Sequence, residues 1–389
     1  EIEVDKDGHP KTRANLTLEP VMDTENYKLF VSNELKITEN KTIMEEHFGK
    51  YPVISADFKC LNVVKTFDEA AEFFKYVIHN TFKQHGYLLN SPHLTNHQRV
   101  FFERWWNDTT YKEMNKQHIT HGLRLLSVYL CKHFGRRAFV IIDDHDSIIG
   151  QSMYDVKSAE KLRKIIALST SMIGTVLKNN DIFVKGGLIT GVADMPLFGF
   201  SDLNSIVNYG FLKEHEFFNY YGLTKEETEE LFKKPEFNLD PDAVRRAHEA
   251  YNGYQSARGK KIYNIYSVLR FLKTGQVKTY WTKYASVKKL RGVFKIPAFK
   301  QYIDKLASGK SISIVITDKL TVEDVIDLRN LLLRPQVGIN YWPAVLFNFL
   351  FKLGYLTYMP HRHPAGFSVQ QVTVKIPNTE VMEYIQKQR

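Results

Sequence analysis

At 389 residues the chain is long enough for two domains, or for one large domain with an appendage. Its 43% hydrophobic and 25% charged residues are ordinary for a globular protein. Two cysteines, Cys60 and Cys131, are too few for a disulfide scaffold or a thiolate zinc site. The formal net charge of +10 favours acidic partners, namely nucleic acid, an anionic membrane surface or an acidic protein. The same charge also fits a solvated basic surface, because Lys and Arg are spread along the chain. The densest runs, Arg258-Gly259-Lys260-Lys261 and Lys288-Lys289-Leu290-Arg291, are short. No apolar run approaches the roughly 18 residues of a membrane-spanning helix.

The first residue is Glu1, and Asn15-Leu16-Thr17, Asn40-Lys41-Thr42 and Asn107-Asp108-Thr109 are glycosylation sequons. Both features fit a secreted glycoprotein whose leader has been removed; a cytoplasmic chain is the alternative. Residues 1–20 read as an irregular start. Tyr51 to Phe58 reads as a strand, and Phe67 to Gln84 as a helix with Phe67, Ala70, Ala71, Phe74, Val77, Ile78 and Phe82 on one face. Helices follow over Asn96 to Trp106 and Lys116 to Phe134. Ala138 to Asp144 is a short apolar run ending in acids, the pattern of a buried parallel strand. An amphipathic helix over Ser158 to Lys178 and a second buried strand over Ile182 to Thr190 complete a βαβ unit.

After Asp194 short helices dominate. They are expected at Lys225 to Lys233, opened by the capping box of Thr224 and Glu227, at Pro241 to Tyr251, at Tyr266 to Lys273, at Val322 to Leu333 and at Pro343 to Leu353. Tyr355 to Tyr358 and Phe367 to Ile376 read as two strands around a Pro/His/Gly turn. The expected architecture is α/β: a parallel sheet with flanking helices over 1–210, then a mostly helical domain with a small C-terminal β-hairpin over 211–389.

Asp143-Asp144-His145-Asp146 is the sharpest chemical signal. Carboxylates at the carboxyl end of a buried parallel strand face the crevice in which α/β folds bind ligands. In a P-loop NTPase the first such Asp holds magnesium and the next acid orients the attacking water. Clustered carboxylates repel one another unless a cation sits nearby. The alternative is structural, since acids at strand ends also cap the following turn.

Ile142-Asp143-Asp144-His145-Asp146 resembles the Ile-Asp-Glu-Tyr-Asp motif of the predicted AAA-ATPase-like family, a P-loop NTPase-like group. Leu188-Ile189-Thr190-Gly191 is similar to that family's Leu-Thr-Gly strand end. Further similar segments follow in order: His47 to Val53, Asn219 to Glu227, Tyr251-Asn252-Gly253-Tyr254, Ile262 to Val268, Gly354 to Thr357 and Ile376 to Val381. The resemblance implies a P-loop NTPase-like fold with ATP and magnesium as cofactors. It implies phosphate contacts from Lys11, Thr12 and Thr190, magnesium contacts from Asp143 and Asp146, and a catalytic Asp144.

The chain departs from this pattern at its phosphate loop. Gly8-His9-Pro10-Lys11-Thr12 puts Pro10 where a glycine precedes the lysine, and proline removes an N–H and fixes φ. Asp144 stands where the family has Glu. Val192-Ala193-Asp194-Met195 lacks the basic residue expected after the Thr-Gly strand end, and the nuclease-like domain of many members has no counterpart here. These departures point to a degenerate, pseudo-enzymatic ATPase fold that acts by binding a protein partner, as a secreted effector or toxin would. A weak magnesium-dependent ATPase and a basic nucleic-acid-binding module are the alternatives. His361-Arg362-His363, and His118 with His121, read as a turn and as packing. Phe101-Phe102, Trp105-Trp106 and Phe217-Phe218 read as core positions or as base-stacking rings.

Overall fold

The computed structural model describes residues 24–32, 35–60, 62–192, 206–283, 294, 296–317, 320–334, 343–359 and 369–388. Lys11, Thr12, His361, His363 and the basic run at 288–291 lie outside them. Among the described residues, 24–148 and 163–191 form one compact unit, and 149–162 and 206–388 fall in a second.

The first unit opens with helices α1 (Glu25–Ser32) and α2 (Lys41–His47). Its centre is a three-stranded parallel sheet in the order β1 (Val53–Asp57), β2 (Ala138–Asp143), β3 (Val184–Ile189). Helices α3 (Phe67–Lys83), α4 (Asn96–Trp106) and α5 (Lys116–Phe134) connect β1 to β2. Helices α6 (Ser147–Asp155) and α7 (Ala159–Leu177) connect β2 to β3. The sequence pattern predicts every one of these elements from β1 to β3 except α6, whose run Ser147-Ile148-Ile149-Gly150 follows the acids directly.

Local chemistry sets the helix starts. Reciprocal capping boxes join Thr66 to Glu69, Thr95 to Gln98 and Asn115 to His118, each satisfying orphan N–H groups of a first turn. His118 is therefore a capping residue. Phe74, Phe82, Phe102, Trp105 and Leu126 are fully buried, at about 1.5–3 kcal/mol each. Phe102 and Trp105 are thus core, whereas Trp106 lies under the Lys83 ammonium, 4.5 Å from the ring centre. Cys60 and Cys131 are separate free thiols, and burial pushes both up from the ordinary cysteine value.

The second unit holds helices α8 (Lys225–Lys233), α9 (Pro241–Tyr251) and α10 (Ile265–Thr274), and a small antiparallel pair, β4 (Tyr254–Gln255) with β5 (Lys261–Ile262). Helices α11 (Pro297–Ala307), α12 (Val322–Leu333), α13 (Pro343–Lys352) and α14 (Thr379–Gln388) follow. The expected hairpin, β7 (Thr357–Tyr358) with β8 (Val369–Lys375), is part of a larger antiparallel sheet. A further strand, β6 (Ile312–Thr317), pairs with β8 from Ile312↔Val374 to Thr317↔Val369. Its alternation buries Ile312, Ile314 and Ile316, a period of two that the sequence displays.

The motifs of this unit converge. Glu380 is buried and accepts hydrogen bonds from the Ser267 hydroxyl at 2.7 Å and the Trp281 N–H at 2.7 Å. Asn264 caps α10 through the Ser267 N–H at 3.0 Å, and Asn378 accepts from the Val381 N–H at 3.1 Å. Thr357 Oγ1 accepts from the Gln255 N–H at 2.7 Å and donates to the Gln255 carbonyl at 3.0 Å. Gly253 has a φ of 106°, and a Cβ there would overlap the Pro377 carbonyl.

Gly253→Ala is therefore expected to destabilise the protein by well over about 1 kcal/mol, lowering Tm by several degrees. Gly275→Ala is the control: it has a φ of 65° but open space around its Cβ, so it carries the backbone penalty alone. Equal melting temperatures for the two variants would show that the Pro377 carbonyl does not constrain this turn.

Candidate functional site

The site lies at the carboxyl ends of the three parallel strands. β1 and β2 end on Asp57 and Asp143, which are register partners. The Phe58 N–H donates to the Asp143 carbonyl at 2.9 Å, and the Thr190 N–H, just past β3, donates to the Ile142 carbonyl at 2.8 Å. Asp57, Asp143 and Thr190 are all exposed, so their side chains are open to a ligand.

Two donors hold one oxygen of Asp143. The Thr190 hydroxyl and the Asp144 N–H, the latter at 3.0 Å, both donate to Oδ1. Asp144 then turns the chain with a φ of 54°, a left-handed conformation that Asp tolerates better than most residues. Its carbonyl accepts from the Ser147 N–H at 2.9 Å. The Ser147 hydroxyl in turn accepts from the Cys60 N–H at 3.0 Å, tying the segment after β1 to the one after β2.

His145 and Asp146 point into the protein and are 7% and 6% exposed. The His145 backbone N–H, at 3.1 Å, and its ring Nδ1–H, at 2.9 Å, both donate to the Thr190 carbonyl. That ring is a clip between the ends of β2 and β3, and its Nε2 is buried without a hydrogen-bond partner. The clip explains Gly191: a Cβ there would stand 2.6 Å from His145 Nδ1 and 2.7 Å from Asp146 Oδ1.

Asp144 has its pKa raised above the ordinary Asp value. Burial is the main cause, followed by the charges of Asp143, Asp146 and Asp57, with Lys59 opposing. Asp57 and Asp143 thus stand exposed at this edge with Asp144 half-buried beside them, and Lys59 is near enough to oppose the shift of Asp144.

Residues 16–200 match the model of a protein family described as Predicted AAA-ATPase. This segment is a predicted AAA-ATPase domain. The matched residues contain all three parallel strands and every acid of the site, while Lys11 and Thr12 precede them. No curated protein and no solved structure matches the chain.

Of the residues expected at the site of this AAA-ATPase-like domain, Asp143, Asp144 and Thr190 come together at one sheet edge. Asp146 is next to them in sequence, but its carboxylate is buried beside Gly191. Asp57 joins them without having been singled out; its signal is its place at the end of a strand, ahead of Phe58. His145 and Gly191 are positioning residues that only the packing reveals. Among the described residues no group of three or more His, Cys, Asp or Glu side chains forms a metal cage. Magnesium needs none, since it is commonly bound by one or two carboxylates together with phosphates and water. The donors here are hard carboxylate oxygens, and they suit that ion.

The raised pKa of Asp144 gives a signed expectation. A carboxyl whose folded pKa lies above its unfolded value contributes stability below the unfolded pKa and loses it as pH rises through the folded one. Asp144→Asn removes that loss and keeps the left-handed turn. It is expected to raise stability at pH 7 by less than about 1 kcal/mol, read as a small rise in Tm, since the group is only partly buried and is screened by salt. The gain should vanish near pH 3, where both states are protonated. A gain that is the same at both pH values would show that charge is not its cause.

Proposed function

We propose that the AAA-ATPase-like domain binds magnesium–ATP at the carboxyl edge of its sheet without efficient turnover, and that the protein works by binding another macromolecule. The observation that carries this reading is the acidic strand edge of Asp57, Asp143 and Asp144, in which the Asp143 carboxylate is fixed by Thr190 and the Asp144 N–H. Carboxylates held this way are costly unless a cation joins them. Asp143 would hold the magnesium, with Asp57 beside it and Thr190 near the phosphates. A bound magnesium would supply charge neutralisation for the triphosphate.

Features of the chain support poor turnover. Asp144 is one methylene shorter than the family's Glu, and its backbone is committed to a left-handed turn. Pro10 interrupts the phosphate loop, and no basic residue follows Thr190-Gly191 directly. A role as a secreted effector belongs to the same proposal. In support, the sequon residue Asn40 is exposed where it caps α2, accepting from the Ile43 N–H at 3.1 Å.

Calorimetric titration of magnesium–ATP tests the reading. Binding is expected for the wild type, at least tenfold weaker for Asp143→Ala (about 1.4 kcal/mol) and abolished by EDTA. Phosphate release should stay below about 0.1 per second, some two decades under a typical enzyme. Unchanged heat in Asp143→Ala, or no heat at millimolar ATP, would remove the nucleotide site. Hydrolysis at ordinary enzyme rates would remove the claim of poor turnover.

A further inference from the structure

The second unit displays aromatic rings beside basic side chains. Tyr220 is 81% exposed, Phe217 45% and Tyr221 41%. Adjacent Phe218 is fully buried, so the Phe217-Phe218 pair is one core ring and one surface ring.

The loop that carries these rings is held by its own contacts. The Tyr221 hydroxyl donates to the Tyr209 carbonyl at 2.5 Å, and the Tyr209 hydroxyl donates to Glu216 at 3.2 Å. His215 Nε2–H donates to the Gly210 carbonyl at 3.1 Å, while its Nδ1 accepts from the Phe217 N–H at 3.1 Å. Ring centres lie 4.8 Å apart for Tyr209 and Phe217, and 5.6 Å apart for His215 and Tyr221. Edge-to-face packing of this kind fixes ring orientation and leaves the outer faces wet.

The basic side chains come from the β4–β5 turn, which Glu214 anchors to this loop. Glu214 accepts from the Ser256 hydroxyl and from the Arg258 N–H at 3.1 Å, and its other oxygen lies 3.7 Å from the Arg258 guanidinium. Leu223 and Tyr263 exchange backbone hydrogen bonds at 3.3 and 2.8 Å, which fixes the end of the loop beside β5. Arg258, Lys260 and Lys261 are exposed, and Lys260 and Lys261 have no acidic partner among the described residues.

We propose that the loop over 206–223 and the β4–β5 turn bind single-stranded nucleic acid, with Phe217, Tyr220 and Tyr221 stacking bases and Arg258, Lys260 and Lys261 lying along the phosphates. Every base offers a π face, so rigid exposed rings beside cations recognise a single strand without reading its sequence. The charge of the chain, +10, has the sign this ligand requires. Within the loop, Glu214 and Glu216 are engaged by the surface itself, the first by the turn and the second by Tyr209, while Glu226 and Glu229 of α8 face Tyr263 at the end of β5.

Fluorescence anisotropy with labelled dT12 and rU12 tests the proposal, using a twelve-residue polyglutamate peptide as the acidic-protein control, between 50 and 200 mM salt. Binding to both oligonucleotides is expected, weakening with salt. The Tyr220→Ala variant should weaken it roughly five- to a hundredfold, the loss expected for one stacked base, with an unchanged salt slope. Tyr220 is so exposed that this variant should melt like the wild type. The variant with Lys260→Ala and Lys261→Ala should bind more weakly and with a shallower slope, by about 0.7 for each phosphate no longer neutralised. Absence of oligonucleotide binding, binding unaffected by either variant, or equal binding of polyglutamate would each overturn the proposal. Because it does not involve Asp143, Asp143→Ala should leave oligonucleotide binding unchanged.

Discussion

The organisation of the α/β unit rests on the bonding of Asp143. Its carbonyl takes the Phe58 N–H from the β1 side, and its carboxylate takes the Thr190 hydroxyl from the β3 side. One residue at the end of the central strand therefore ties all three carboxyl ends together. A carboxylate held this way keeps its direction without a ligand, so its charge is aimed before anything binds. The His145 clip repeats the link one layer deeper, through the Thr190 carbonyl. Gly191 follows from that clip, because the ring occupies the volume a larger residue would need.

The motifs of the second unit have a different meaning. Residues that resemble a family pattern invite a catalytic reading, yet here Ser267 and Glu380, Asn264, Asn378, and Gly253 with Pro377 are one another's partners or the caps of the helices they precede. Their oxygens and backbone shapes serve packing and the pairing of buried polar groups, with Asn378 Nδ2 the exception among them. The acidic edge of the first unit is the reverse case, because Asp57 and Asp143 are brought together in register and left exposed. Resemblance alone does not separate these two situations; burial and hydrogen-bond accounting do.

Much of the α/β unit was legible in the sequence because its signals are local. The apolar run from Ala138 to Ile142, and in the second unit the capping box at Thr224, each depend on a few neighbouring residues. What escaped depends on distant partners. Ile312 to Thr317 alternates clearly, but only its pairing with β8 makes it an inner-facing strand. Asp57 is an unremarkable strand-end acid until its register with Asp143 is known. His145 sits where the family carries a tyrosine, and nothing in the chain before Gly191 announces that its ring will reach the next strand.

The Glu380 cluster also sets a timetable for the second unit. Glu380 is synthesised 113 residues after Ser267 and 99 after Trp281. At about 5–20 residues per second, the Ser267 hydroxyl and the Trp281 amide wait roughly 5 to 23 s on the ribosome for their acceptor. Until Glu380 emerges, those donors lack the acceptor they have in the fold, and burying them unpaired would be costly. The helices of this unit can form as they emerge, but its final closure is a late event, and the interval before it is when the nascent chain most needs protection from other chains.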